Sequence, residues 1–340
     1  MNGMLAKPDL SEATLLSQLE RDYSLTFIEL EFLPLGADRN TAVYRATSEE
    51  GSSYFVKLRR GTFDEASVAL PYFFSEHGVE HIITPLVTTI GQPWSTLEAF
   101  TIVLYPFIKG EDGYKLSLTE ENWRDFGRTL RRLHTLDIPE ALTRGLRRET
   151  YSAATREAVK ALFVQLETTS FVDRTAEKTA QFLRNNKHKI LELVGHAESY
   201  AHILKGRSLE PVLCHDDLHA GNLLIGSRHD FYIVDWDSPI LAPKERDLMF
   251  IGGGLGFKGF SPQEEETLFY KGYGIADIDL DALAYYRLER ILRDVEAYGD
   301  ELVRELGSQE ERELSLHYLK SNFEPGSTIE RAYAVMETHP

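Results

Sequence analysis

The residues that could do chemistry concentrate in Val212–Asp237, VLCHDDLHAGNLLIGSRHDFYIVDWD. This stretch contains His215-x-Asp217, Asn222 five positions after that aspartate, and two more carboxylates at Asp235 and Asp237. Three short apolar runs, VLC, NLLI and FYIVDWD, read as strands separated by two polar turns. The polar groups therefore fall where strands stop, which is where function concentrates. An aspartate, an asparagine five residues on and another aspartate one strand later suit metal-assisted phosphoryl transfer. Asp217 would accept or orient a substrate hydroxyl, while Asn222 and Asp235 would hold Mg²⁺ on the phosphates of ATP. An all-oxygen donor set is what a hard cation prefers. Aspartate is needed at 217 because such transfers depend largely on holding the acceptor in line with the γ-phosphate.

The segment HDDLHAGN resembles the catalytic loop of the aminoglycoside phosphotransferases, which are protein-kinase-like small-molecule kinases. The spectinomycin phosphotransferase branch is the closer resemblance, carried by YFVKL at 54–58, YPFI at 105–108, CHDDLHAGN at 214–222, DWDSPILAPKERDLMFIGGG at 235–254 and YYRLERI at 285–291. It implies an α+β, protein-kinase-like fold of two lobes. A small β-rich nucleotide-binding lobe would span residues 1–107, and a larger helical catalytic and substrate-binding lobe residues 108–340. The implied activity is ATP- and Mg²⁺-dependent phosphorylation of a hydroxyl on an aminocyclitol antibiotic, spectinomycin first, which would confer resistance. A metabolic hydroxyl kinase for choline, homoserine or a sugar, or a pseudokinase-like nucleotide-binding module, would use the same frame.

Stepping outward from the loop, residues 10–22 have helical apolar spacing behind Ser11, and Phe27–Phe32, Ala42–Ala46 and Tyr54–Leu58 read as antiparallel strands. Gly36-x-Asp38-x-Asn40, between the first two, takes the place of a glycine-rich flap with a single glycine. It is either a phosphate-touching turn or an ordinary hairpin. Lys57 alternates with Val56 and Leu58, and a lysine within an apolar strand needs a partner. By the resemblance it binds the α/β-phosphates and pairs with a helix acid, Glu65 first and Glu76 second, although either acid could serve only the helix dipole. The strand ending at Tyr105 leads to a lobe linker. There, the backbone of Pro106, Phe107 and Ile108 is implied to meet the adenine edge, the plain alternative being that Pro106 ends an edge strand.

Beyond Gly113 the pattern turns helical. Thr119-x-x-Asn122 opens a helix to Leu136 with Trp123, Phe126, Leu130 and Leu133 on one face; further helices are expected over about 149–167, 174–205, Ser261–Tyr273 and Asp281–Tyr298. The roles of several residues stay open. His215 braces the loop by hydrogen bonds. His219 either approaches the γ-phosphate or is a turn histidine. Asp237, in place of the glycine of the kinase DFG motif, orders the metal loop or faces the substrate. Glu289 or Asp294 could meet a substrate ammonium, or Glu289 could pair with Arg293 along the helix for about 0.2–0.5 kcal/mol. Asp216 replaces the arginine that clamps a phosphorylated activation loop, and only SPILAP separates DWD from KERDL, which favours a small-molecule acceptor over a peptide. Gly252–Gly254 lack a Walker ending and read as a helix end or packing point.

The chain has 340 residues, 42% hydrophobic, enough for a sizeable core in more than one lobe. A net charge of −17 argues against nucleic acid or an anionic membrane as the partner and suits a cationic small molecule. No obligate protein partner is evident. The single cysteine, Cys214, excludes an internal disulfide and reads as inert core. Without a secretory signal pattern or an apolar run of about 18 residues, a cytoplasmic protein is expected.

Overall fold

The structure is a computed structural model that describes residues 7–34, 40–227, 230–253, 256–274 and 277–337. Asp38 lies outside the described residues. Ser11, in extended conformation, precedes α1 (Glu12–Tyr23), which buries Leu15, Leu19 and Tyr23. Then follow β1 (Phe27–Leu33), β2 (Thr41–Ser48), β3 (Ser53–Arg60), α2 (Ala66–Glu76), β4 (Ser95–Leu97) and β5 (Phe100–Pro106). These strands make one antiparallel sheet in the order β1-β2-β3-β5-β4. Period-two alternation sends Val56, Leu58, Ile102 and Leu104 into the core with α1, and turns Lys57 and Arg59 to the opposite face. The strand expected to end at Tyr105 is β5, paired with the short β4.

The helical part begins after β6 (Gly110–Asp112). It contains α3 (Glu120–Thr135), α4 (Glu140–Thr143), β7 (Arg147–Arg148), α5 (Ala154–Thr168), α6 (Arg174–Asn185) and α7 (Lys187–Lys205). Next come β8 (Val212–Cys214), β9 (Leu223–Gly226), β10 (Phe231–Ile233), β11 (Ile240–Ala242) and α8 (Glu245–Leu248). The chain continues through α9 (Pro262–Tyr273), α10 (Leu280–Val303), α11 (Gln309–Ser321) and α12 (Thr328–Glu337). Thr119 and Asn122 form the reciprocal capping box that starts α3, and its expected stripe of Trp123, Phe126, Leu130 and Leu133 is buried. The expected 174–205 helix is two helices, broken at Asn186. The last two helices were not among the sequence expectations.

Two three-stranded sheets, β10-β9-β6 and β7-β11-β8, hold the Val212–Asp237 stretch. The chain leaves the second sheet at Cys214 and joins the first at Leu223, so residues 215–222 bridge them. Helix α2 and the segment that follows it join the larger lobe's core: Phe74 packs on Trp236 at 5.0 Å, and Ile233 N–H donates to the His81 carbonyl. Helix α10 runs through the helical part, touching α5, α6, α7, α8, α11 and α12. It is therefore buried on most of its circumference.

Candidate active site

Asp217 sits half-buried on the bridging loop, its carboxylate fixed from three sides. Oδ1 accepts from Arg290 Nη1 at 3.0 Å; Oδ2 lies 3.4 Å from His219 Nε2 and 3.5 Å from Asn222 Nδ2. Burial would raise this carboxyl, but the hydrogen bond from His219 and the charge of Arg290 outweigh it and hold the group well below the usual carboxylate range. Asn222 Nδ2 also donates to the Asp217 carbonyl at 2.8 Å, which leaves the amide oxygen as the atom able to meet a cation.

The histidines brace the loop, as expected of His215. Its Nε2 donates to the Val234 carbonyl at 3.0 Å while Nδ1 accepts from Asp217 N–H at 3.3 Å. His219 Nδ1 accepts from Gly221 N–H at 3.0 Å and faces the Tyr114 hydroxyl at 3.1 Å, so its Nε2–H points to Asp217. His219 thus both ties the turn and touches the Asp217 carboxylate. Beneath the loop, buried Asp247 of α8 accepts the backbone N–H groups of His215 at 2.9 Å and Asp216 at 3.0 Å. His134 of α3 donates to the same carboxylate at 3.2 Å. Asp216 is buried at a φ of 81°, a strained conformation sustained by Arg246 and by Arg147 at 2.9 Å. Cys214 is fully buried, and burial pushes its thiol far up, in keeping with an inert core residue.

Asp235 follows β10 rather than ending it, and takes a φ of 67° that turns its exposed carboxylate outward. Lys57 reaches across the lobes to it at 3.5 Å and to Asp237 at 2.8 Å, while Arg59 donates to Asp237 at 3.0 Å. Glu65 was expected to be the lysine's partner; it is instead exposed at the N-cap of α2, and the two carboxylates of the DWD turn occupy the ammonium. Glu76, exposed at the end of α2, is not its partner either. Asp237 therefore ties β3 to the turn that carries Asp235. Asn222 and Asp235 remain an all-oxygen pair suited to Mg²⁺.

At the lobe junction, Phe107 N–H donates to the Ser53 carbonyl at 3.1 Å. The Pro106 carbonyl, trans to that N–H across the same peptide bond, consequently points to the other side of the chain, away from β3.

One expectation on α10 is corrected. Glu289 is not on a ligand-facing or solvent face: it is buried and paired with Arg156 of α5, because α10 is packed nearly all round, so it meets neither Arg293 nor a ligand there. Asp294 is engaged too, with Arg290 at 3.3 Å and Asn322 at 3.4 Å. Sequence reasoning missed Arg290 altogether. Its signal was the very motif YYRLERI, whose second arginine falls three residues past its first on a helix, but the stripe of apolar residues drew attention instead. Elsewhere, a cavity of about 490 Å³ lies by Arg207, Glu245 and Asp279, away from this chemistry.

A five-stranded lobe bearing a lysine, set against a helical lobe bearing an aspartate–asparagine loop and a further aspartate, defines a kinase-like phosphotransferase. The family model of the phosphotransferase enzyme family matches residues 31–286, and the chain belongs to that family. It is 36% identical to spectinomycin phosphotransferase in complex with ADP and spectinomycin, over 97% of this chain and 100% of that one, with a TM-score of 0.88. The AMP-bound complex of spectinomycin phosphotransferase gives 35% identity over 96% and 99% of the two chains, with a TM-score of 0.84. An amicoumacin kinase at 18% identity, covering 97% of this chain and 95% of its own with a TM-score of 0.58, shares the fold. No curated protein sequence matches the chain.

Proposed function

We propose that this enzyme transfers the γ-phosphoryl group of ATP, with Mg²⁺, to a hydroxyl of a small cationic aminocyclitol, spectinomycin being the first choice. The observation that carries the reading is the fixed carboxylate of Asp217, framed by Asn222, Asp235 and Lys57 within a chain alike over nearly its whole length to an enzyme solved with spectinomycin. In this reading residues 1–107 bind the nucleotide and 108–340 supply the catalytic loop and acceptor pocket. The Pro106 carbonyl and Ile108 N–H read the adenine edge, and Lys57 holds the phosphates once released from Asp237.

Asp217 accepts the acceptor's O–H and aims its oxygen at the γ-phosphorus. The new P–O bond forms as the bond to the ADP oxygen breaks, and the hydroxyl proton leaves toward Asp217 or the transferred phosphate. Because Asp217 is held well below the usual carboxylate range, alignment outweighs proton abstraction. Mg²⁺ would neutralise charge building on the phosphates from Asn222 and Asp235. Phosphorylation adds charge and bulk to the antibiotic, so resistance is the proposed role and the cytoplasm, where ATP is at hand, the proposed location.

The test is ADP release with Mg·ATP against spectinomycin, hygromycin, kanamycin, streptomycin, choline and homoserine. Turnover confined to spectinomycin supports the reading. Turnover of choline or homoserine alone sinks the antibiotic assignment, and nucleotide binding without any turnover revives the pseudokinase alternative.

A further inference from the structure

Arg290 lies four residues beyond the stretch matched by the family model, yet it makes the closest side-chain contact to the catalytic carboxylate. Its guanidinium spans two acids. Nη1 meets Asp217 Oδ1 at 3.0 Å, and Nη2 meets Asp294 Oδ1 at 3.3 Å, one turn further along α10. Asn322, which precedes α12, donates to the other oxygen of Asp294 at 3.4 Å, and the arginine's Cζ lies 6.0 Å from the Phe250 ring centroid. The side chain is 17% exposed, so the fork is held by packing as well as by charge.

A guanidinium is planar and presents its donors in a fixed geometry, so a fork anchored at one end orients whatever it grips at the other. Asp217 has two free torsions, and its Oδ2 partners, at 3.4 and 3.5 Å, are long. Among the described residues, only the Arg290 contact to this carboxylate has the length of a firm hydrogen bond. With Oδ1 fixed by Arg290, the remaining lone pairs keep one direction toward the cleft.

We propose that Arg290, backed by Asp294 and Asn322, is the positioning residue that locks the Asp217 carboxylate in the orientation needed to receive the acceptor hydroxyl. The proposal rests on the phosphotransfer reading above and deepens it. It makes a helix of the acceptor-side lobe, outside the family-wide segment, set the aim of the catalytic loop. A cationic acceptor would then meet an arginine beside the catalytic carboxylate, and its ammonium groups must be recognised away from Oδ1.

The test compares wild type with Arg290→Met, Arg290→Ala, Arg290→Lys and Asp294→Asn in steady-state kinetics with spectinomycin. A lost lock predicts kcat lower by about 10²-fold in Arg290→Met and Arg290→Ala, with KM for ATP unchanged, since misplacement by about 1 Å has that effect. Asp294→Asn should lose less, and Arg290→Lys should fall between, having charge without the fork. Added guanidinium should restore part of the kcat of Arg290→Ala, which a merely structural arginine would not allow. An unchanged kcat in Arg290→Met, or a loss that neither guanidinium nor lysine relieves, overturns the proposal. If wild type phosphorylates none of the acceptors, the functional reading fails by itself. Crystals of Arg290→Met then decide the lock: a reoriented Asp217 carboxylate upholds it, and an unmoved one removes it.

Discussion

Replacing Asp217 with asparagine keeps the side chain's shape and its place beside Asn222 while removing the charge that Arg290 and His219 grip. The kcat of Asp217→Asn is expected to fall by about 10²–10⁴-fold, with ATP binding retained, as nucleotide titration calorimetry beside the ADP assay would record. A second contrast separates the acids around Lys57. Because the ammonium lies on Asp237 and Asp235, Asp237→Asn should change KM for ATP more than Glu65→Gln does; the reverse order would restore Glu65 as the partner. Glu265, on α9, offers a pH test. Burial pushes its carboxyl up to about 7 from an ordinary 4.5, with neighbouring Glu266 adding to the rise and the Gly252 amide opposing it. A raised folded value means a stabilising contribution present below the unfolded value and lost as pH climbs through about 7. Glu265→Gln should therefore be more stable than wild type at about pH 8, by on the order of 3 kcal/mol, and lose that advantage below about pH 5. Urea melts across that range would show a flat difference if the burial penalty is absent.

The interior ion pair of α10 and α5 belongs to the scale of elements. Removing Arg156 alone leaves the Glu289 carboxylate buried without its cation, so Arg156→Met should cost about 3–5 kcal/mol. The double change Arg156→Met, Glu289→Leu should regain most of it, and thermal melts of both variants check this. That pair also shows where sequence stopped being informative. The stripe Leu288, Ile291, Leu292 and Val295 is buried as periodicity foretold, but periodicity assumes a helix with one wet face. Six neighbouring helices cover α10, and no local pattern states how many partners a helix will have. The strands β1, β2, β3 and β5, and the helices α1, α2, α3, α9 and α10, were legible because their alternation and caps are local. The loop His215–Asn222 was legible through spacing. Arg290 and the Lys57–Asp237 link were not: the first joins residues 73 apart and the second residues 180 apart, brought together only by tertiary packing.

Across the whole molecule, a net charge of −17 surrounds a cleft whose proposed acceptor is cationic. The field should speed encounter, so kcat/KM for the aminocyclitol is expected to fall as ionic strength rises, while kcat stays level. Stopped-time assays over a salt series would detect this, and a salt-independent kcat/KM would mean that the charge is only a matter of solubility. No helix among the described residues is long and apolar enough to cross a membrane.

Trp236 stands between the two aspartates of the DWD turn, its indole 5.0 Å from the Phe74 ring on α2 and 4.6 Å from the His215 ring on the Asp217 loop. The enzyme thus carries an optical reporter at its hinge of function. Any nucleotide that draws Lys57 off the flanking carboxylates must shift the surroundings of that indole, and with them its emission. Fluorescence lost in Trp236→Phe would give ATP affinity directly, with no acceptor and no turnover, and would let the lobes be watched as they take up each ligand in turn.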